Sequence, residues 1–375
     1  MTENITPRQV EAAKILEGAI QGDRTAKLKL QEGISTSDLP VQLAPVINKI
    51  MLQNYAAQPK VWDMFASKIV VDDFRPVQYM NLAYEDEGLD NAGDTFRPGS
   101  LPTVGEYDEY PTAGWFSFSE AEFKVKKAGS RIRFSWESII NDGNISLLER
   151  LPIELARKAA GKEDEEVTKQ LVSASGVNTT NFKTANQNLL TANTALGTSA
   201  NAPLTLESLE AAIEQANLQT YNGNNVQPLS RFVLVVNAGL ELTAKKILAI
   251  QQVRTETTSG SVVKSTVTGN PIAASIEIVV NPWLKKINSG STNYWFLLPV
   301  PSDTLNPGLV LGFLRGYETP ELRVKANGGL YLGGGAVPAR EGSFDNDDFE
   351  MRIRHIATGG FLLPAGTIAS TGAGS

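Results

Sequence analysis

The sequence predicts an α+β chain in which one unit is interrupted by another. Three observations lead there. A long helical pattern runs from Asn144 to Leu171. Strand-like alternation lies before it, at Phe116 to Trp136, and again far downstream, at Phe349 to Leu363. Between these comes a different rhythm of helices and buried-type strands, starting near Thr205. The strands on either side of the helix must pair across a large sequence gap, so the intervening α/β segment reads as an insertion.

The long helix shows apolar residues at Leu147, Leu151, Leu155 and Ala159, then at Val167 and Leu171, which is i,i+4 spacing with one slip. Glu154 precedes Lys158 by four positions, and Glu165 precedes Lys169 by four, the favoured order for exposed pairs. Asn144 suits the N-cap, and Pro152 removes one backbone donor and predicts a kink or restart. At about 1.5 Å per residue the helix spans roughly 40 Å. Its apolar side needs a sheet or a neighbouring subunit along it.

Earlier in the chain, Thr6-Pro7-Arg8-Gln9 is a capping box with proline at the first helical position, opening a helix to about Ile20. A polar stretch, 23–37, leads to a second helix with Leu43, Val46, Ile47, Ile50, Met51 and Tyr55 on one stripe, ending before Pro59. Together these look like an arm. Ile69 to Leu82 reads as a strand broken at Pro76. From Ala83 to Gly114 the alternation collapses into Gly, Pro, Asp and Glu. An excursion of that length is unusual inside a compact domain and tends to carry function. Its outbound limb is acidic, and its return limb carries Lys124, Lys126, Lys127, Arg131 and Arg133.

Beyond the long helix, 173–203 is rich in Asn, Thr and Ala and reads as a hairpin or loose connection. Thr205 caps a helix with Leu206, Leu209, Ile213 and Ala216 inward. Phe232 to Val236, Ile276 to Val280, Tyr294 to Leu298 and Leu309 to Leu314 read as strands, with a helix at about 239–253. The Ser/Thr-rich stretch 255–269 reads as a surface loop, and the tail from Ile368 to Ser375 is expected to fray.

Composition narrows the function. The chain has 375 residues and a net charge of −7, so no strong basic field grips nucleic acid. There is no cysteine, which excludes disulfides and thiolate metal sites. Neither a secretory signal nor an apolar run of membrane-spanning length is visible. A single histidine, His355, sits in a strand pattern, where a structural role is the expectation. One histidine excludes a histidine-rich metal site and a hydrolase triad within one chain. Asp345, Asp347, Asp348 and Glu350 are dense enough to suggest a cation, yet the spacing fails the EF-hand pattern, and a solvated turn is the expectation. No P-loop or dinucleotide fingerprint occurs. The aromatics Tyr107, Tyr110, Trp115, Phe116 and Phe118 lie among mainly acidic residues, which suits strand packing, or docking on another subunit, better than base stacking. No constellation supports catalysis, and no cofactor is implied.

The run from Ile132 to Asp142, IRFSWESIIND, followed by Leu147-Leu148-Glu149-Arg150-Leu151-Pro152, resembles the segment entering the long helix in major capsid proteins of tailed phages, the Mu-like head-subunit branch most of all. Tyr294-Trp295-Phe296-Leu297-Leu298, Gly312-Phe313-Leu314-Arg315-Gly316 and Asp347-Asp348-Phe349-Glu350-Met351-Arg352 fit in the same order, and the resemblance covers 38–363. The chain departs from the family at Trp136, where arginine is common, and at Gly143, where a second aspartate is common.

The resemblance implies the Hong Kong 97 capsid fold. Residues 1–68 would be the N-terminal arm and 69–134 the extended loop with its base strands. Residues 135–204 and 331–375 would form the peripheral domain around a spine helix at 144–171, and 205–330 the axial domain. The implied role is a major head protein that assembles with itself, as hexamers and pentamers, into an icosahedral shell around double-stranded DNA. A separate scaffolding protein and a portal are implied partners, with no sequence-specific DNA contact, no membrane and no covalent cross-linking. The protein would be made in the bacterial cytoplasm and end in the virion. Tyr107, Tyr110, Trp115, Arg97, Glu106 and Asp108 are the candidate intersubunit contacts. Two alternatives stand beside this reading: an encapsulin-type compartment of the same fold, and a cation-dependent enzyme using Asp345, Asp347 and Asp348.

Overall fold

The structure is a computed structural model that describes residues 39–85, 103–110, 115–135, 137, 146–221, 224–225, 229–250, 252–259, 262–270, 272–290, 292–301, 308–325, 330, 332 and 343–374. The first predicted helix, the polar stretch after it, Arg97 and Trp136 lie outside the described residues.

In chain order the elements begin with α1 (Leu39–Ala57), β1 (Ser67–Val71), β2 (Val77–Glu85), β3 (Trp115–Phe123), β4 (Lys127–Ser135) and α2 (Ser146–Leu171). Then come β5 (Val172–Ser173), β6 (Gly176–Val177), α3 (Leu206–Leu218), β7 (Thr220–Tyr221), β8 (Asn224–Asn225), β9 (Phe232–Val236) and α4 (Glu241–Ala249). The last are β10 (Gln252–Ser259), β11 (Val262–Gly269), β12 (Ile276–Val280), α5 (Trp283–Ile287), β13 (Trp295–Pro299), β14 (Leu309–Leu314), β15 (Glu321–Val324), β16 (Asp348–Phe361) and β17 (Ile368–Ser370). The chain separates into two compact units, 1–59 with 126–162 and 313–357, and 60–125 with 163–312 and 358–375.

In the first unit, β16 pairs antiparallel with β4 on one edge, from Asp348↔Ser135 to Ile356↔Lys127, and with β15 on the other, from Glu321↔Arg354 to Val324↔Met351. Because side chains alternate along a strand, Phe349, Met351 and Ile353 face one side of this sheet and are buried. Met51 and Tyr55 of α1 pack there with Leu155, Ala156, Ala159 and Ala160 of α2 and with Ile353. The small residues of α2 let two helices and a strand converge. His355 is buried, with Tyr55 edge-on at 5.8 Å and Phe313 at 6.0 Å between ring centres. That is a packing role, as its strand position suggested.

In the second unit, four strands run in the order β12-β9-β13-β17, with β9 and β12 parallel. Every residue of β9 and β13 is buried, which explains their unbroken apolar sequences. α3 covers the sheet with Leu209, Ala212 and Ala216, and α4 with Ala244 and Ile247. Thr205 caps α3 as expected, its hydroxyl accepting from the Ser208 amide while Ser208 accepts from the Thr205 amide.

Three expectations are corrected: for 255–269, for the tail, and for a restart of the long helix at Pro152. Residues 255–269 are not a loop: β10 and β11 pair along eight positions, Gln252↔Gly269 to Ser259↔Val262, since alternating threonines and valines suit a ribbon. The tail does not fray at its start. Ile368, Ala369 and Ser370 are fully buried as β17, because the edge of β13 needs a partner for its backbone groups. The 173–203 connection begins as the small β5–β6 hairpin and is then held by amide side chains: Asn178 donates to the Lys169 carbonyl, Asn181 to that of Gln170, Asn188 to that of Asn181, and Gln215 to that of Leu189. Such side chains satisfy backbone groups where no ladder does. The long helix starts at Ser146 and continues through Pro152 without a break.

Leu155 is 1% exposed, whereas Glu165 lies at the half-buried margin, paired with Lys169 at 2.7 Å. Leu155→Ala should cost about 2–5 kcal/mol. Glu165→Ala should cost less than about 1 kcal/mol. Denaturant melts of the two variants check the difference, and equal losses would contradict the assigned helix face.

Candidate intersubunit surface

The strand regions on either side of the predicted excursion pair as a hairpin. β2 and β3 pair along nine positions, from Val77↔Phe123 at the base to Glu85↔Trp115. Asp73 and Arg75 precede it as a local pair that fixes the bend before Pro76: the Arg75 amide and guanidinium both donate to the Asp73 carboxylate, at 3.0 and 2.6 Å, and hold its pKa below the ordinary value. At the base, Phe123 is buried against two glycines. A Cβ added to Gly360 would meet its ring at 3.2 Å, and one added to Gly312 would collide with it. β14 and β16 therefore carry glycine where the aromatic ring must lie against the sheet.

Beyond the ladder, residues 103–110 form an exposed turn. The Asp108 amide donates to the Gly105 carbonyl at 3.3 Å, and Tyr107 takes a left-handed backbone, φ +65°. An aromatic residue rarely adopts that conformation. It carries the Tyr107 side chain wholly into solvent, at 100% exposure, with Tyr110 at 83% and both Glu106 and Asp108 exposed beside them. Four of the six expected contacts thus share one short segment. Trp115 stands at the end of the ladder, and Arg97 falls outside the described residues.

A polar site that periodicity missed lies where the stripe of α2 slips. Glu163 and Asp164 fill the buried positions between Ala160 and Val167, at 0% and 6% exposure. The Trp62 indole donates to Glu163 at 2.9 Å, its backbone amide donates to Asp164 at 2.9 Å, and Lys60 pairs with Glu163 at 3.2 Å. Further along, Asn281 donates to the Thr168 hydroxyl at 2.8 Å and Gln170 to the Gly359 carbonyl at 3.1 Å. Gly359 is needed there: a Cβ would overlap the Glu166 carbonyl and lie 2.9 Å from the Val167 Cα. The signal in the sequence was the slip itself, since Ala160, Glu163, Asp164 and Val167 share one helix row.

The acidic cluster is a solvated turn entering a strand only in its first half. Asp345 and Asp347 are exposed, but Asp348 and Glu350 are buried and ion-paired. Arg133 contacts both carboxylates, at 3.0 Å to Glu350, and Arg131 and Lys325 reach Glu350 at 3.5 and 3.4 Å. The Ser343 hydroxyl, chiefly, and Arg133 hold Asp348 below the ordinary carboxylate range, and the Glu350 hydrogen bond raises Arg133. Among the described residues, no group of three or more histidines, cysteines or carboxylates is arranged to hold a metal.

The chain belongs to the phage capsid protein family, whose model matches residues 119–370. It is a phage capsid protein, a structural component of the virion, with a mixed helix-and-sheet architecture. No curated protein matches it in sequence. Solved structures similar to it include Mycobacterium phage Cain, at 10% identity and TM-score 0.46, covering 84% of this chain and 92% of that one. The capsid of a native GTA particle matches at 13% identity and TM-score 0.45, over 82% and 87%. The SrpI encapsulin complex from Synechococcus elongatus PCC 7942 matches at 10% identity and TM-score 0.42, over 81% and 84%. Among the described residues no helix is long and apolar enough to cross a membrane.

Burial raises Asp164 from 3.8 to about 6, with the Glu163 charge adding to the effect and the Trp62 and Val61 amides opposing it. The folded chain therefore holds this proton more tightly than the unfolded chain. The stability so contributed is complete below about pH 4 and lost as pH rises through about 6. Asp164→Asn keeps an oxygen for the Trp62 amide and removes the ionisation. It should flatten the stability slope between about pH 4 and 6 and gain on the order of 1–3 kcal/mol over the native chain at pH 7.5. Denaturant titrations across that range check this, and an unchanged slope would contradict it.

Proposed function

We propose that the chain is the major head subunit of a tailed phage, closing with copies of itself as hexamers and pentamers into an icosahedral shell around double-stranded DNA. The observation that carries this reading is the family match across residues 119–370, taken with the exposed Tyr107–Tyr110 turn at the outer part of the hairpin. Residues 1–68 serve as the N-terminal arm and 69–134 as the extended loop. Residues 135–204 and 331–375 serve as the peripheral domain, and 205–330 as the axial domain. The role is structural and not catalytic, and it needs no cofactor. A separate scaffolding protein and a portal act with it, and it is made in the host cytoplasm.

Tyr107, Tyr110 and Trp115 act as anchors on an adjacent copy, with Glu106, Asp108 and Arg97 as the charged rim. Aromatic anchors within a polar rim are how interfaces divide affinity and orientation. Negative-stain electron microscopy of the chain expressed alone tests the assembly role. Closed shells or capsomer rings are expected, and a persistent monomer at high concentration would overturn it.

Replacing Asp86 to Thr112 with a short Gly-Ser turn should leave the β2–β3 ladder and a cooperatively melting subunit, because the ladder ends before the replaced segment. Closed shells should not form. Normal shells from that variant would refute the contact role of the tip.

With a net charge of −7, isolated subunits should hold duplex DNA weakly and without sequence preference. Filter binding at physiological salt should show no nanomolar affinity.

A further inference from the structure

The polar site on α2 gathers negative charge where water does not reach. Glu163 and Asp164 are neighbours on one helix, and both are buried. The Lys60 ammonium pairs with Glu163 at 3.2 Å, and the Trp62 indole donates to the same carboxylate at 2.9 Å. Asp164 accepts from the backbone amides of Trp62, at 2.9 Å, and Val61. Amide donors ease a buried carboxylate without cancelling its charge. Burial acts most strongly on Asp164, and the charges acting on it are Glu163, from its own helix, and Lys60, from the segment before β1. Glu165 and Glu166 pair with Lys169 one turn on. Asn281 and Gly359, which meet the helix at Thr168 and at Glu166 and Val167, bring no charge. Two adjacent buried carboxylates beside one ammonium favour keeping a proton on the pair.

The other wall of this site is the short segment 60–66. Its middle is a single 3₁₀ turn, Trp62–Met64, in which the Phe65 and Ala66 amides donate to the Trp62 carbonyl at 3.1 and 2.8 Å. Trp62, Phe65 and Ala66 are buried, whereas Asp63 and Met64 are exposed. A turn this short has little stability of its own, so its place depends on what Lys60 and Trp62 reach on α2. Those groups are the two carboxylates. With one proton on the pair, the indole, the amides and the ammonium are all matched. With both acids ionised, lifting the turn admits water and relieves their repulsion. A segment anchored in this way can open locally, at a lower free energy than global unfolding.

We propose that the Glu163–Asp164 pair is a proton-keyed clasp: one proton held by the pair locks residues 60–66 onto α2, and its loss to solvent releases them while the rest of their unit stays folded. The clasp sits where the chain passes from α1 into β1 and the β2–β3 hairpin, so the entry to the hairpin gains or loses an anchor with pH.

Hydrogen exchange of the full chain, read by mass spectrometry and corrected for intrinsic rates, tests this. Protection of 60–66 should fall by about tenfold or more between about pH 4 and about pH 7, the range set by a carboxyl that burial raises from 3.8 to about 6. Its opening should depend on urea far less than that of β9 and β13, because a local opening exposes little surface. Asp164→Asn should hold its protection across the range. Lys60→Met should carry the end of the fall to higher pH and Glu163→Gln to lower pH, whereas groups with only a packing role would change the level of protection and not its pH dependence. These opposite displacements decide the matter even where Asp164→Asn does not fold. A native profile independent of pH would overturn the clasp. So would an Asp164→Asn profile matching the native one, or a 60–66 segment that opens only together with β9 and β13 and with the same urea dependence.

Discussion

The structure depends on the burial of one stripe along α2. That stripe carries Leu155, Ala159 and Ala160 in its first half and Glu163, Asp164, Val167, Thr168 and Leu171 in its second. Apolar residues can be buried against many surfaces, but two adjacent carboxylates cannot be buried without partners. The segment just after α1 therefore has to bring Trp62 and Lys60 to Glu163 and Asp164. Gly359 and its carbonyl meet the same part of the helix at backbone distance. A spine fixed by hydrogen bonds has one position, whereas a purely greasy one could slide.

The hairpin answers a different constraint. Its base is pinned by Phe123 against Gly312 and Gly360, while its outer turn offers tyrosines and carboxylates that a single chain leaves in solvent. Exposed aromatic area is stabilised only when another surface covers it.

Much of the fold was legible because it rests on local periodicity. The α2 stripe, the buried runs of β9 and β13 and the Thr205 cap follow from residue spacing alone. The aromatic and acidic residues of the turn stood out because their composition has no core to join. Where the reading failed, a partner distant in sequence decided the outcome. Ile368 to Ser370 looks like a terminal tail until β13 presents an open edge. Asp348 and Glu350 look like a wet turn until β4 brings Arg131 and Arg133 across from more than 200 positions away.

The sequence by itself determined the apolar stripe of α2, the buried runs of β9 and β13 and the cap of α3. Backbone propensity and side-chain period act over a few residues, and both are written in the chain. Only the tertiary structure decided that the slip in the α2 stripe is a buried acid pair under Trp62, and that Arg131, Arg352 and Arg323 stand abreast on one sheet face. Both depend on strand register and long-range pairing, and a shift of one residue would turn those side chains to the opposite face.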